Sequence, residues 1–499
     1  MDQELAFSGW SGILILVIYG LLMLGIGFMT YFRNRNKNIR DSNEEYYLGG
    51  KELSVMVLFF TFYASQYSGN TIIGYAPQGY RIGFQWMQSI TFMILVIMAY
   101  LLFAPRLYAL SRKYKFITPA DWLEKRFQSK SITILGSFLM LYGLGNYLLE
   151  QLVAVGQGVS GLTGGTVPYQ FAVIFFILIM LIYSWLGGMR AVAYTDTMQG
   201  IALLLGVFVL VIGSIVYFGG LPTSADYMAA YSPEKLGVPE ASGISGWFSM
   251  LILASLGAAI YPHSIQRIFS AKNEKTLKNS FIGMAWMPFI TTGVVLLVGI
   301  IGINAIPNLD GMESENLVGI MANAIASQHI LFYWAMILLF GGIVAAIIST
   351  ADSILLSLSS IISKDIYGRY INPRADEHKQ ILVGKIAGII AVIILLIIAW
   401  YPPATLYEIF VLKLELLVQL VPAIILGLYW KELHTKSVFI GMLAGTLVAS
   451  IMTFSNVEPL GIFSGVWGLL INLMICVGGS IAFKVSVSEQ GEVDKVIGL

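Results

Sequence analysis

Thirteen apolar runs of membrane-spanning length follow one another from end to end of this 499-residue chain. The hydrocarbon core of a bilayer offers no hydrogen-bond partners, so only helices and closed barrels cross it. The ten-residue alternation of barrel strands is absent from these runs, and the sequence therefore predicts an all-α integral membrane protein. The predicted spans lie near 10–31, 53–80, 85–108, 131–160, 168–187, 191–219, 246–269, 280–305, 329–362, 381–400, 404–429, 437–454 and 460–484.

The positions of the basic residues predict the orientation of the spans. Cytoplasmic loops are enriched in Lys and Arg. If the N-terminus is outside, all of the 29 Lys and Arg residues except Arg81, Lys235 and Lys413 lie at cytoplasmic ends or loops. The opposite orientation would invert this ratio. We therefore expect the N-terminus outside, the C-terminus inside and a multi-pass protein of the cell (inner) membrane.

Composition excludes several classes of protein. The chain is 57% apolar and 11% charged, far from the usual balance of soluble domains. No basic patch with interleaved aromatic residues indicates nucleic-acid binding. Nor does a zinc-protease, nucleophile-elbow or phosphate-cradling motif indicate an enzyme or an ATP-driven pump. We expect one membrane domain over 1–499 whose partners are a small solute, sodium ions and the lipid bilayer, without an obligate protein partner.

Two predicted spans are interrupted. The centre of the first, residues 65–70, reads SQYSGN, and Ser255, Gly257 and Pro262 interrupt the run 246–269. Irregular backbone at membrane depth persists only around a cavity or an ion. Each interruption falls in the first span of a five-span block, and such blocks are typical of an inverted repeat with its binding site at the broken helices. Two plain kinked helices are the alternative.

These blocks divide the predicted domain into four segments. They are an extra N-terminal helix at 10–31, a first five-helix repeat at 53–219, a second, inverted repeat at 246–429 and two C-terminal helices at 437–484.

Hydroxyl and carboxylate groups lie within the apolar run 341–360, where they must face protein, water or an ion. If the broken first helix packs against this run, the carbonyl oxygens of Ala64, Tyr67 and Ala346 meet the hydroxyls of Ser349 and Thr350. Five neutral oxygens suit reversible binding of Na⁺. The alternative is that both hydroxyls bond to carbonyls four residues earlier in their own helix.

Asp196, at the inner end of span 191–219, allows two interpretations. It could form an ion pair with Arg190 or with loop lysines. Alternatively, it could join Ser349, Asp352 and Ser353 around a second cation.

A polar face in span 131–160 carries Tyr147 and Glu150 at helical spacing. Glu150 is either a solute contact or one half of a buried ion pair. Lys413 lies about 200° around its helix from Glu415, so the two charges cannot face one ligand. Lys413 therefore pairs with a carboxylate on another helix, for which Glu150 is the candidate, or with an anionic group of the solute.

Several segments together resemble the sodium:solute symporter family, which includes sodium–proline, pantothenate and sodium–glucose carriers. The matching segments are EYYLGGKEL (45–53), FYASQYSGNTIIG (62–74), TPADWLEKRF (118–127), YTDTMQG (194–200), PHSIQRIFSAKNEKTLK (262–278), STADSILLSLSSIISKDIY (349–367) and LVPAIILGLYWK (420–431). The resemblance implies a leucine-transporter-like inverted repeat of five plus five helices and Na⁺ as the coupling ion.

The resemblance also implies roles for particular residues. The main sodium site falls on Ala64, Tyr67, Ala346, Ser349 and Thr350, and the second site of some members on Asp196, Ser349, Asp352 and Ser353. Solute contacts are implied at Gln66, Ser68, Tyr147, Glu150, Ala254, Ala258 and Gln419.

Two departures from the proline carriers bear on the solute. Those carriers have an acidic residue at the position of Gln66 and bulky aromatic residues at those of Ala254 and Ala258. We therefore expect a larger pocket and a sodium-coupled symporter for an amino acid, a carboxylate or a pantothenate-like solute. A sodium–sugar symporter and a sodium or anion channel are the alternatives.

Overall fold

The computed structural model describes residues 42–239 and 241–483 without a break, together with scattered positions between 13 and 28 and positions 493 and 496. Within these ranges the side chains of 183–187 and 241–242 are not described. The scattered positions of the predicted first span, 10–31, are helical, and the rest of that span lies outside the described residues.

The regular secondary structure of the described residues is helical, apart from one isolated bridge between Leu53 and Ala271. In chain order the α-helices are α1 Asn43–Leu48, α2 Val55–Gln66, α3 Gly69–Ile73, α4 Tyr75–Ile82, α5 Gln88–Tyr114, α6 Pro119–Phe127, α7 Lys130–Leu162, α8 Tyr169–Phe218, α9 Leu221–Tyr231, α10 Ala241–Ala259, α11 Pro262–Ser270, α12 Glu274–Met284, α13 Val294–Ala305, α14 Leu317–Ala326, α15 Ile330–Ser360, α16 Glu377–Ala399, α17 Leu406–Leu417, α18 Gly427–Tyr429, α19 Thr435–Phe454 and α20 Ser464–Ala482.

Short 3₁₀ or π segments connect or extend several of these helices. The 3₁₀ segments are Gly49–Lys51, Gly83–Met87, Pro233–Lys235, Glu313–Asn316, Val418–Leu420 and Pro459–Gly461. The π segments are Pro288–Gly293, Ile361–Ile371 and Pro422–Leu426.

Nine helices in the described part of the chain are long and apolar enough to cross a membrane, or ten if the bent pair Gly243–Ala259 and Pro262–Ser270 is one span. Val55–Gln66 and Tyr169–Ile182 are apolar but shorter. An all-helical membrane protein is therefore confirmed, whereas the number of thirteen spans and the orientation of the termini stay predictions.

The first interruption is confirmed but is narrower than predicted. Helix α2 continues through Gln66, and only Tyr67 (φ −100°, ψ 74°) and Ser68 (ψ −179°) leave helical geometry before α3 begins. A Cβ atom at Gly69 would collide with the side chain of Ile347. Glycine at this position therefore lets the broken helix approach α15 closely.

The second interruption lies later than Ser255 and Gly257, and that part of the prediction is wrong. Both residues are inside α10, which runs to Ala259, and the chain turns at Tyr261 before Pro262 starts α11. The two helices are bent by 46°. Gly257 instead permits close packing, because an added Cβ would lie 2.9 Å from Leu414 Cδ2 of α17.

The long helix α8 is two helices joined at Gly188, where φ is 56° and ψ is −162°. A positive φ is readily adopted by glycine alone. The second half of α8 packs along α15, since a Cβ at Gly342 would lie 2.8 Å from the carbonyl oxygen of Ala202. This close pair of helices carries Asp196 on one side and Ser349 to Ser353 on the other.

Candidate ion and solute sites

The hydroxyl of Thr350 lies where α15 meets the end of α2. Its Oγ1 is 2.9 Å from the carbonyl oxygen of Ala64 and 3.0 Å from that of Ala346, and all three residues are completely buried. The predicted bond of Thr350 to the carbonyl four residues earlier is present, and the same hydroxyl also reaches the broken helix. The structure brings together three of the five predicted sodium ligands, and each offers a neutral oxygen.

The other two predicted ligands have different surroundings. Tyr67 occupies the break itself, and its backbone N–H donates to the carbonyl oxygen of Tyr63 (2.9 Å). Ser349 donates its hydroxyl hydrogen to Oδ1 of Asp196. The hydroxyl of Ser349 is therefore directed to a neighbouring carboxylate rather than to Ala64.

That carboxylate is the centre of a buried polar cluster. Asp196 accepts hydrogen bonds from Ser349 and from Thr61, and its Oδ2 lies 3.3 Å from Nη2 of Arg267. Both charged side chains are completely buried. Arg267 also donates to the carbonyl oxygens of Thr61 and His263, both at 3.1 Å, and to the hydroxyl of Ser353. We call these residues, Thr61, Asp196, Arg267, Ser349 and Ser353, the Asp196 cluster.

Sequence reasoning missed Arg267. Pairing of Asp196 with Arg190 is wrong, since Arg190 forms its ion pairs with Glu45 and Glu52 close to the Gly188 junction within α8. Arg267 stands in a basic segment, 262–278, that the orientation rule assigned to a cytoplasmic end. Its position one turn after Pro262 in a broken helix was the signal that could have placed it inside the protein.

The predicted second cation site is brought together in part. Ser349 and Ser353 belong to the Asp196 cluster. Asp352 is completely buried in α15, but it is not among the hydrogen-bond partners of Asp196, which are Thr61, Ser349 and Arg267 in the part of the chain described. The cluster therefore already contains a cation, the guanidinium of Arg267.

A cavity of about 20 Å³ lies beside the break in the first helix. Five of the predicted solute residues line it, namely Gln66, Ser68, Tyr147, Glu150 and Ala258. The remaining lining residues are Asn70, Thr71, Tyr75, Phe92, Met93, Tyr261, Phe410 and Lys413. This volume holds about one water molecule and is far below that of ligand sites. The expected larger pocket is therefore not found in this conformation.

Two predicted solute residues lie elsewhere. Ala254 is buried one turn before Ala258 in α10 and does not line the cavity. Gln419 donates to the carbonyl oxygen of Gly465 (2.9 Å), and its own carbonyl accepts from Asn472 (2.8 Å), so it faces α20. Six residues separate it from Lys413, which corresponds to about 240° around a helix. A residue that follows the cavity-lining Lys413 at that angle points away from the cavity.

Lys413 and Glu150 form a buried ion pair, one of the two alternatives that the angular argument from the sequence left open. The ammonium donates to Glu150 Oε2, and both side chains are at most 1% exposed. The ammonium also lies 3.5 Å from the ring centre of Tyr147, and the rings of Phe410 and Tyr261 are within 5.5 Å. Cation–π attraction adds to the ion pair.

Broken membrane helices beside buried neutral oxygens and a polar cavity are typical of membrane transporters. Residues 46–445 match the model of the sodium:solute symporter family. The chain belongs to this family and is a transporter rather than an enzyme, as its sequence motifs predicted.

Individual relatives agree with this assignment. The chain is 26% identical over 488 residues to the sodium/pantothenate symporter of Escherichia coli (strain K12), covering 96% of this chain and 97% of the relative. It is 27% identical over 479 residues to a sodium/proline symporter of Staphylococcus aureus (strain JH9), covering 93% and 89%.

Among solved structures, a substrate-bound, outward-open Na⁺-coupled sialic acid symporter superposes with a TM-score of 0.77 at 18% identity. The match covers 95% of this chain and 99% of that one. It shows that the two proteins share a fold, the leucine-transporter fold.

Proposed function

We propose that this protein imports a small organic solute, an amino acid, a carboxylate or a pantothenate-like compound, together with Na⁺ across the cell inner membrane. The observation that carries the proposal is the meeting of the Thr350 hydroxyl with the Ala64 carbonyl beside the break in the first helix. Relatives named for sodium-coupled transport of pantothenate and proline support it.

In this proposal Na⁺ binds the carbonyl oxygens of Ala64, Tyr67 and Ala346 and the hydroxyls of Ser349 and Thr350. Neutral oxygens suit a monovalent ion that must also leave. A lone pair of the Ser349 hydroxyl would bind the ion while its hydrogen stays donated to Asp196, which links sodium binding to the Asp196 cluster. A second sodium ion near Asp196, Asp352 and Ser353 stays a prediction, since it would have to share Asp196 with the guanidinium of Arg267.

Sodium binding would hold α2 against α15 and thereby complete the solute cavity, in which Gln66, Ser68, Tyr147, Glu150 and Ala258 contact the solute. A ligand that binds one conformation more tightly shifts the population towards it. Each Na⁺ that crosses 100 mV supplies roughly 2.3 kcal/mol, which suffices for about fortyfold accumulation of the solute.

The proposed architecture completes the transport cycle. Two inverted five-helix repeats at 53–219 and 246–429, with one helix before them and two after them, give thirteen spans with the N-terminus outside. Alternating access then consists of movement of one helix group against the other around a fixed site.

The test is uptake into proteoliposomes with and without an inward sodium gradient. A screen of radiolabelled amino acids, carboxylates, vitamins and sugars identifies the solute, and an equal potassium gradient is the control for ionic strength. We expect uptake that requires sodium and is abolished in the Ser349→Ala/Thr350→Ala protein. Sodium-independent uptake by the wild-type protein would contradict coupling, and sodium flux without any solute would indicate a channel.

A further inference from the structure

The solute cavity contains buried polar atoms that lack a partner among the described residues. They are Oε1 of Glu150, Oδ1 of Asn70 and the hydroxyl of Tyr261. Buried polar atoms in native proteins nearly always have a hydrogen-bond partner, and an unpaired one destabilises the fold. In this conformation the cavity admits about one water molecule, and a solute that opens the cavity and replaces this water must satisfy the same three atoms. Two of them, on Glu150 and Asn70, can only accept hydrogen bonds.

The charges around the cavity restrict which solutes can bind there. Glu150 and Lys413 are the charged residues among the cavity-lining side chains. The Lys413 ammonium is engaged by Glu150 Oε2 and by the ring of Tyr147. The cavity is therefore neutral overall and presents an unused carboxylate oxygen, whereas its cation is already bound. A solute with a net negative charge would bring an uncompensated charge next to that oxygen.

We propose that the solute is a compact zwitterion with an N–H-bearing ammonium group, such as an α-amino acid. Its ammonium donates to Glu150 Oε1 and Asn70 Oδ1, and its carboxylate accepts from the Tyr261 hydroxyl. A hydrogen bond between two charged groups is stronger than one from a neutral hydroxyl. The rings of Tyr75, Phe92 and Phe410 provide an apolar wall for the solute's side chain. This inference rests on the proposed sodium-coupled transport and specifies its substrate class.

Matched compounds test the role of the ammonium group. Each neutral L-amino acid is compared with the 2-hydroxy acid that has the same side chain and with the betaine in which nitrogen carries three methyl groups. Pantothenate and glucose complete the set. Binding is measured as sodium-dependent thermal stabilisation of the purified protein, and uptake is measured in proteoliposomes under a sodium gradient.

We expect at least one amino acid to bind, and its hydroxy acid and betaine to bind at least tenfold more weakly. A ratio of this size is typical of losing a hydrogen bond to a charged group. Sodium-driven uptake of glucose, pantothenate or a betaine in preference to every amino acid would overturn the substrate class and leave sodium coupling intact. Uptake of an amino acid that ignores sodium would overturn the proposed coupling alone. If no compound in the set binds or is taken up, the inferred class is wrong.

Variants connect the preference to the residues. Glu150→Gln/Lys413→Met removes both charges, so that no buried charge is left unpaired, and we expect it to lose the tenfold preference for the amino acid. Its stabilisation by sodium alone reports whether the protein is folded. Tyr261→Phe keeps the ring, and severalfold weaker binding is expected.

Glu415→Gln is the matched control. Glu415 is a buried carboxylate on the same helix as Lys413, but it accepts a hydrogen bond from Thr453 and does not line the cavity. We expect it to retain the preference. A folded Glu150→Gln/Lys413→Met protein that keeps the full preference would overturn the assignment.

Discussion

Two buried ion pairs lie on either side of the broken first helix, and they differ in how completely they are satisfied. In the Asp196–Arg267 pair, Oδ1 accepts from Ser349 and Oδ2 from Thr61 and Arg267. In the Glu150–Lys413 pair, Oε2 accepts from Lys413 and Oε1 has no partner among the described residues. The first pair is surrounded by protein, and the second borders a cavity.

This difference separates a structural role from a binding role. A buried network with every polar atom satisfied holds its helices in one arrangement, and the Asp196 cluster joins α2, α8, α11 and α15 in this way. A pair with an open oxygen retains capacity for a ligand. Buried charge alone therefore does not identify a solute site, whereas the unsatisfied atom beside a cavity does.

The largest expected effect on stability is that of removing the carboxylate from the Asp196–Arg267 pair, which we call the closed pair. Asp196→Asn leaves the Arg267 guanidinium completely buried without a counter-charge, and we expect the free energy of unfolding to fall by about 3–5 kcal/mol. The measurement is denaturation of the purified protein in detergent. Asp196→Asn/Arg267→Gln removes both charges and should recover more than half of the loss. A double variant as unstable as the single one would show that the pair is not what stabilises this region.

A smaller loss of stability is expected for the Glu150–Lys413 pair, which we call the open pair. Lys413→Met leaves Glu150 charged, but Glu150 borders a cavity that water or solute can enter, so we expect a loss of about 2 kcal/mol. The same denaturation experiment measures it, with Glu150→Gln/Lys413→Met as the charge-balanced control. If Lys413→Met costs as much as Asp196→Asn, the distinction between the open and the closed pair fails.

Substitutions in the proposed sodium site should change the affinity for sodium. Thr350→Val keeps the shape of the side chain and removes its hydroxyl, and we expect the sodium concentration for half-maximal stabilisation to rise about tenfold. Thr350→Ser retains the hydroxyl and should stay within twofold of the wild-type value. An unchanged sodium requirement in Thr350→Val would remove Thr350 from the site.

The smallest effect on solute binding is expected at Gln419, which the structure places against α20. Gln419→Ala should leave solute affinity within twofold and reduce the free energy of unfolding by about 1 kcal/mol, since Gly465 loses a donor. Ser68→Ala, in the cavity lining, should instead change solute affinity severalfold. Equal effects of the two variants on affinity would return Gln419 to the solute site.

Much of the site was predictable from local sequence. The SQYSGN segment predicted the break at Tyr67, and the Ser–Thr pair in an apolar run predicted the approach of Thr350 to Ala64. The angle between Lys413 and Glu415 on one helix left two partners for Lys413, Glu150 or an anionic solute group, and the structure shows the pair with Glu150. Each of these inferences began from a local pattern, although the contacting residues are 286 positions apart for Thr350 and Ala64 and 263 for Lys413 and Glu150.

Other features depended on distant contacts. Arg267 is 71 residues from Asp196, and its basic neighbours resemble those of a cytoplasmic loop. Gln419 lies in the 3₁₀ segment Val418–Leu420, six residues after the cavity-lining Lys413, and faces the C-terminal helix α20. The break in the second interrupted helix lies at Tyr261 and not at Gly257. Gly257 stays helical and allows close packing against Leu414.

The sequence by itself determined that the chain is an all-helical membrane protein, where its first helix breaks and which neutral oxygens can meet an ion, because hydropathy and helix propensity are properties of neighbouring residues. Only the tertiary structure decided which carboxylate Arg267 neutralises, which oxygen of Glu150 stays open and which way Gln419 points. Those outcomes depend on how each helix is rotated against its neighbours. Successive residues point 100° apart around a helix, so a small change in rotation gives a side chain a different partner.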